Sequence, residues 1–252
     1  MLDPFPTFSR FITFLFIIIF SSSIALAQVD KVKEKSKNDT PSNRSNDGYS
    51  GTGSGIFFFI DVVNLFPLMI DAHKDMLERK EAEPWLVGLD LSLNGAYNSD
   101  NTTTLLLPSI RGNWGLFSTQ MRWNNLQDNT GSFKTFDWQI IQFNVVSTPK
   151  ANFRIGTGIS VIKETSETVN EHFMGLDLHF KERKINPTVE FRWSENYETN
   201  STPRFEFNIG SEFNIATYGR FDLNVMAGYL YQKYYSDISF HLIRTGINIH
   251  IY

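Results

Sequence analysis

Residues 203–215 read PRFEFNIGSEFNI, and their alternation decides the fold. Phe205, Phe207, Ile209, Phe213 and Ile215 share one side of an extended chain, while Arg204, Glu206, Asn208, Glu212 and Asn214 take the other, because strand side chains repeat with a period of two. One face suits hydrocarbon and the other suits water. The same pattern returns along the last two thirds of the chain.

The totals narrow the classes. Of 252 residues 41% are hydrophobic, which is ordinary for a folded protein, but aromatics reach 15% with 23 Phe, which favours strands and membrane interfaces. The formal net charge of -4 carries no basic excess to neutralise phosphates, so no nucleic-acid partner is expected. There is no cysteine, hence no disulfide framework, thiolate metal site, cysteine nucleophile or lipidated cysteine.

Ahead of the strands the chain changes character three times. Residues 1–27 contain Arg10, the apolar run Phe11 to Phe20, three serines and then Ala25-Leu26-Ala27 before Gln28. That order is a secretory signal peptide cut between Ala27 and Gln28, and the apolar run is too short for the roughly 20 residues of a membrane helix. Residues 28–55 are polar and charged with little to bury, which predicts a disordered linker. Residues 56–83 begin with the apolar IFFFIDVVNLF and continue into a helical pattern, with Met69, Ile70, His73, Met76 and Leu77 at three- and four-residue spacing. This segment reads as a short amphipathic periplasmic helix with an apolar lead. It has to rest on the protein's own body, the lipid interface, a partner or the inside of a pore.

From Trp85 onward alternation gives about ten strands, within a range of roughly 8 to 12. In the stretch Phe133 to Val146, Phe136, Trp138 and Ile140 hold one apolar phase and Ile141, Phe143 and Val145 the other, which predicts a bulge. Alternation alone does not separate a soluble barrel from a membrane one. The strand ends do: Trp85 and Tyr97 bracket an aliphatic middle, as do Phe221 with Tyr229 and Tyr231, and Trp114, Trp123, Trp193 and Phe205 extend the belts. The opposite faces carry charges of both signs. The polar runs after the third, fifth and seventh strands (127–132, 164–171, 195–202) read as longer external loops than the turns after even strands.

With signal peptide, amphipathic strands, aromatic belts and a terminal aromatic, Tyr252, residues 84–252 resemble a small bacterial outer-membrane β-barrel protein. The resemblance implies an antiparallel up-and-down transmembrane barrel in outer-membrane lipid with a periplasmic N-terminus. One departure stands out. Ile247, Ile249 and Ile251 lie on the face opposite Tyr252, whereas the family's last aromatic usually shares the apolar face.

The inward faces assemble a charge network: Asp90, Arg122, Arg154, Asp177, His179, Glu190, Arg192, Arg204, Glu206, Glu212, Arg220 and Asp222. Neighbouring carboxylates with a histidine, such as Asp177, Glu190 and His179, could work as acid and base. Interleaved arginines make mutual neutralisation the stronger reading. No Ser-His-acid set emerges, the five histidines show no metal spacing, and no cofactor is expected. The reading is therefore a noncatalytic outer-membrane barrel, a structural or accessory component engaging envelope protein partners through residues 56–83 and its external loops. A narrow pore and a barrel enzyme acting on lipid or peptide are the alternatives.

Overall fold

The computed structural model describes residues 28–39, 87–98, 103–148, 150–181, 183–197 and 199–252. The expected cleavage residue Ala27, the segment 56–83 and Trp85 lie outside the described residues.

Ten antiparallel strands close into one ring in simple up-and-down order. They are β1 (Val87–Asn98), β2 (Thr103–Trp114), β3 (Phe117–Gln127), β4 (Ser132–Ser147), β5 (Ala151–Ile162), β6 (Glu167–Leu178), β7 (Ile185–Asn196), β8 (Ser201–Tyr218), β9 (Phe221–Tyr234) and β10 (Ile238–Ile251). β10 closes on β1, with Leu89 opposite Ile251 and Tyr97 opposite Ile243. Each strand has 11 to 18 residues, more than the roughly 9 to 11 that cross a bilayer at a tilt, so both rims extend past the hydrocarbon. Closure leaves no unpaired edge, which is what lets strands cross lipid.

The orientation of residues 203–215 is the one expected. Ile209 and Phe213 are exposed on the outside, while Arg204, Glu206 and Asn208 are buried inside. A soluble barrel with its aromatic face inward is thereby excluded. Val87, Leu93, Ile110, Ile140, Val225 and Ile247 continue the outer apolar band. Trp114, Tyr218 and Phe221 mark one edge of the band, and Tyr97 and Trp123 the other.

The predicted bulge is present, with irregular pairing between Trp138 and Ile141. Gly158 makes it possible, since a Cβ there would lie 1.9 Å from the Trp138 carbonyl oxygen. The departure at the C-terminus also stands. β10 pairs in continuous register on both sides, so no bulge restores the phase. Ile247 faces outward while Tyr252 turns to the lumen and hydrogen-bonds Asp222.

Three expectations are corrected. The connections after β3, β5 and β7 are only residues 128–131, 163–166 and 197–200, because the polar residues Glu167 to Glu171, Glu195 and Ser201 continue the strand ladder rather than leave it. The longest connection, 179–184, lies at the other mouth. Arg220, expected inside, is exposed in the turn between β8 and β9.

Residues 28–39, expected within the linker, form helix α1 (Gln28–Asp39). Its four lysines with Gln28 and Glu34 favour a helix, but one of 12 residues is marginal alone. Val29, Val32 and Ser36 fall on one buried face. The two valines are fully buried, an order of about 1.5 to 3 kcal/mol each. They pack with Leu126, Phe133, Ile162, Tyr234 and Ile238 at the mouth formed by the connections after the odd strands, here the far mouth. β1 begins at the opposite, near mouth, where Tyr252 also lies.

Candidate functional site

The lumen is layered along the barrel axis, and each layer follows from which inward positions the strands supply. Toward the far mouth the inward residues are apolar: Leu105, Leu107, Leu126, Phe133, Leu230, Phe240 and Leu242 join Val29 and Val32 of α1 in one cluster. Sequence reading missed this layer. Leu105, Leu106 and Leu107 put apolar side chains on both faces of β2, and the apolar phase of β10 moves from Ile238, Phe240 and Leu242 to Ile243 and Ile247, so alternation could not say which of them point in.

Beneath it lies a layer of six charges. Arg122 on β3 spans the lumen to β8, its Nη1 donating to Glu206 Oε1 at 2.5 Å and its Nη2 to Oε2 at 3.0 Å. The same guanidinium donates to Asp137 Oδ2 from Nε at 3.1 Å and Nη2 at 2.9 Å. Arg204 lies 2.8 Å from Asp137 and 2.9 Å from Glu171, and it donates to Thr135 Oγ1 at 2.7 Å. Arg192 donates to Gln120 Oε1 at 2.6 Å and stands 3.8 Å from Glu171. Ser160 and Gln232 add donors to Asp137 and Glu206 at 2.7 and 2.9 Å. Three arginines and three carboxylates cancel formally. Such a buried set is held by the partners its lone pairs and N–H groups find; these neighbours supply many, while Glu171 Oε2, Arg192 Nε and Nη1 and Arg204 Nε make no hydrogen bond within the described residues.

Toward the near mouth the lumen opens into a polar cavity of about 160 Å³. Asp90 holds Arg111 at 2.6 Å, and His250 sits between Asp90 Oδ1 at 2.7 Å and Glu212 Oε2 at 2.9 Å, pinning the β1–β10 seam. Arg154 meets Asp177 at 2.7 Å and comes within 3.8 Å of Glu190. Phe173 lies under Arg154 and Arg192, whose guanidinium carbons are 5.2 and 4.6 Å from its ring centre, close enough for cation–π attraction.

Asp177, Glu190 and His179 all line this cavity, with Arg154 beside both carboxylates. Asp177 accepts from Thr188 at 2.9 Å and from Arg154, Glu190 accepts from Asn208 at 3.2 Å, and His179 hydrogen-bonds Asn186 at 3.1 Å beyond the end of β6. Burial pulls the His179 imidazole below its ordinary range, which disfavours a standing positive charge at the mouth. Asp222 sits at the same mouth, accepting from Thr217 at 2.5 Å and from Tyr252. Arg192 and Glu206 are direct cross-strand partners, as the hairpin spacing predicts, although each guanidinium or carboxylate also reaches other strands.

Five members escaped the sequence reading. Asp137 lies beside the bulge that blurs inside and outside, and Glu171 lay in a run taken for a loop. Arg111, Arg244 and His250 sit on β2 and β10, the two strands whose apolar pattern does not single out an inward face. Among the described residues no group of three or more His, Cys, Asp or Glu is arranged to hold a metal ion. The belt residues Trp193, Phe205, Tyr229 and Tyr231 are on the outer wall, with Phe205 and Tyr231 in edge contact at 6.4 Å.

No family model matches the chain, and no curated protein does. Among solved structures it is similar to the NanC porin, at 9% identity over 64% of this chain and 99% of that one, with a TM-score of 0.38. It is likewise similar to the KdgM porin in complex with disordered oligogalacturonate, at 8% identity over 66% and 99% of the two chains and a TM-score of 0.33. The N-terminal β-barrel domain of Pseudomonas aeruginosa OprF follows at 8% identity, 65% and 96% coverage and a TM-score of 0.29. All are bacterial outer-membrane barrels, and the argument for a membrane barrel in this chain rests on its own outer surface rather than on these scores.

Proposed function

We propose that the protein is a noncatalytic outer-membrane β-barrel, closed to solute flow, that serves as a structural or accessory component of the cell envelope. One observation carries this reading. Arg122 is hydrogen-bonded to Asp137 on the neighbouring strand and to Glu206 on the far wall, so the polar lumen is tied shut at mid-height and roofed by apolar side chains. An ion crossing would have to break several charge-assisted bonds and then enter a dry layer.

The near mouth, with β1 and the C-terminus, is assigned to the periplasm. With far-mouth connections this short, contact with envelope proteins falls to the chain before the barrel, residues 56–83 foremost. The polar cavity of about 160 Å³ favours a second reading, a narrow pore that opens when the charge layer rearranges. Single-channel recording on the purified full chain in planar bilayers tests both. A closed barrel gives no discrete steps, whereas reproducible steps of one conductance would establish the pore.

A further inference from the structure

α1 and the start of β1 lie at opposite mouths. Asp39, the last residue of α1, accepts a hydrogen bond from Ser201 at the head of β8, at the far mouth, at 2.6 Å. The first described residue of β1, Val87, pairs with Trp114 at the near mouth, where the Tyr252 N–H also bonds the Arg220 carbonyl. The two ends are thus separated by the charge layer of Asp137, Glu171 and Glu206, each at most 1% exposed.

The seat of α1 is specific to the far mouth. Val29 and Val32 fill an apolar collar that includes Phe133 and Ile238, and Tyr235 packs against the same cluster. Polar tethers come from two connections and the head of β8: the Val29 N–H donates to Asp128 Oδ2 at 3.1 Å, Lys35 pairs with Asp237, and Asp39 accepts from Ser201. Without α1 the collar would expose its apolar floor to water at the rim, a cost that docking of this amphipathic face removes.

We infer that α1 is a built-in cap of the far mouth, held on the side of the membrane opposite the start of β1 and Tyr252. The relative placement stands on the geometry alone. Its absolute side rests on the periplasmic near mouth proposed above, which puts α1 at the cell surface.

The chain has no cysteine, so introduced ones report cleanly. In the full chain assembled in outer membranes, a Lys35→Cys, Asp237→Cys pair should be bridged within one chain by a short bismaleimide, while Lys35→Cys with Arg220→Cys should not. All three positions are polar and at the rims, and retained heat-modifiable migration checks folding. A membrane-impermeant maleimide applied to intact cells should treat single Lys37→Cys and Ser236→Cys variants alike and Arg220→Cys oppositely. A Lys37→Cys variant that labels like Arg220→Cys would overturn the inference, as would a 35–237 cross-link found only between two copies. If 37 and 236 label alike but only after permeabilisation, the cap stands and the periplasmic assignment of the near mouth fails.

Discussion

Arg122 and Glu206 are 84 residues apart and sit five strands from each other in either direction around the ring, yet their side chains meet in a two-pronged contact at 2.5 and 3.0 Å. The pair joins opposite walls of the barrel. It fills the lumen at mid-height with paired charge.

Breaking that contact from one side should be costly. A Glu206→Leu change leaves Arg122 buried with part of its donors unpaired, and removing one partner of a buried pair costs about 3 to 5 kcal/mol. Replacing both, as Arg122→Met with Glu206→Leu, should recover part of that loss, because Asp137 keeps Arg204 at 2.8 Å. Urea unfolding of the refolded barrel in lipid vesicles measures the coupling. Additive losses in the double variant would mean the cross-lumen bond has no energetic weight.

At the bulge, the close backbone approach predicts a steep effect of one methyl group. Gly158→Ala would place its Cβ 1.9 Å from the Trp138 oxygen, and relief requires moving two strands, at or above the upper end of about 1 to 3 kcal/mol for overpacking. Gly219→Ala serves as a comparison. There φ is +58° with nothing within 4 Å, so only backbone strain of about 1 to 2 kcal/mol applies. Unfolding midpoints should rank wild type, Gly219→Ala and Gly158→Ala in that order.

The α1 cap should depend on pH through Asp128. Burial tends to raise this carboxyl, but the Thr130 hydroxyl and the N–H groups of Val29, Thr130 and Gly131 outweigh it and hold it below its usual value of 3.8. A depressed carboxylate contributes stability above its ordinary value and loses it as pH falls through the lowered one. A spin label at Lys37→Cys should therefore gain mobility as pH drops below about 4. Asp30 and Asp39 on α1 and Asp237 beside it are further carboxylates at this contact, so the share owed to Asp128 is the part that Asp128→Asn removes; an identical profile in that variant would assign the effect to the others.

How much of this was legible beforehand follows from the physics of each region. Residues 203–215 announced both faces because one period-two pattern runs unbroken past the width of a bilayer, and it could be turned outward by the aromatic residues at strand ends. Asp137 was hidden because a bulge reverses the phase at Trp138 to Ile141 and removes the local clue to inside and outside. Glu171 was hidden because a polar run in a strand that continues beyond the apolar band reads like a loop. α1 offered only Val29, Val32 and Ser36 at helical spacing. That is too narrow a stripe to reveal a helix when the apolar partner surface comes from strands about 100 to 200 residues away.

The most direct measurement is assembly of Ile209→Arg. Ile209 lies midway along β8, opposite Val189 and Tyr229, on the outer wall. An arginine near the bilayer midplane of such a wall costs about 2 to 4 kcal/mol. Folding into vesicles, followed by heat-modifiable migration and urea titration, should show that loss, while Arg at Tyr218, on the rim, should cost about 0 to 1 kcal/mol. If Ile209→Arg inserted and unfolded like wild type, the outer face would not be in lipid and the membrane-barrel account would be wrong.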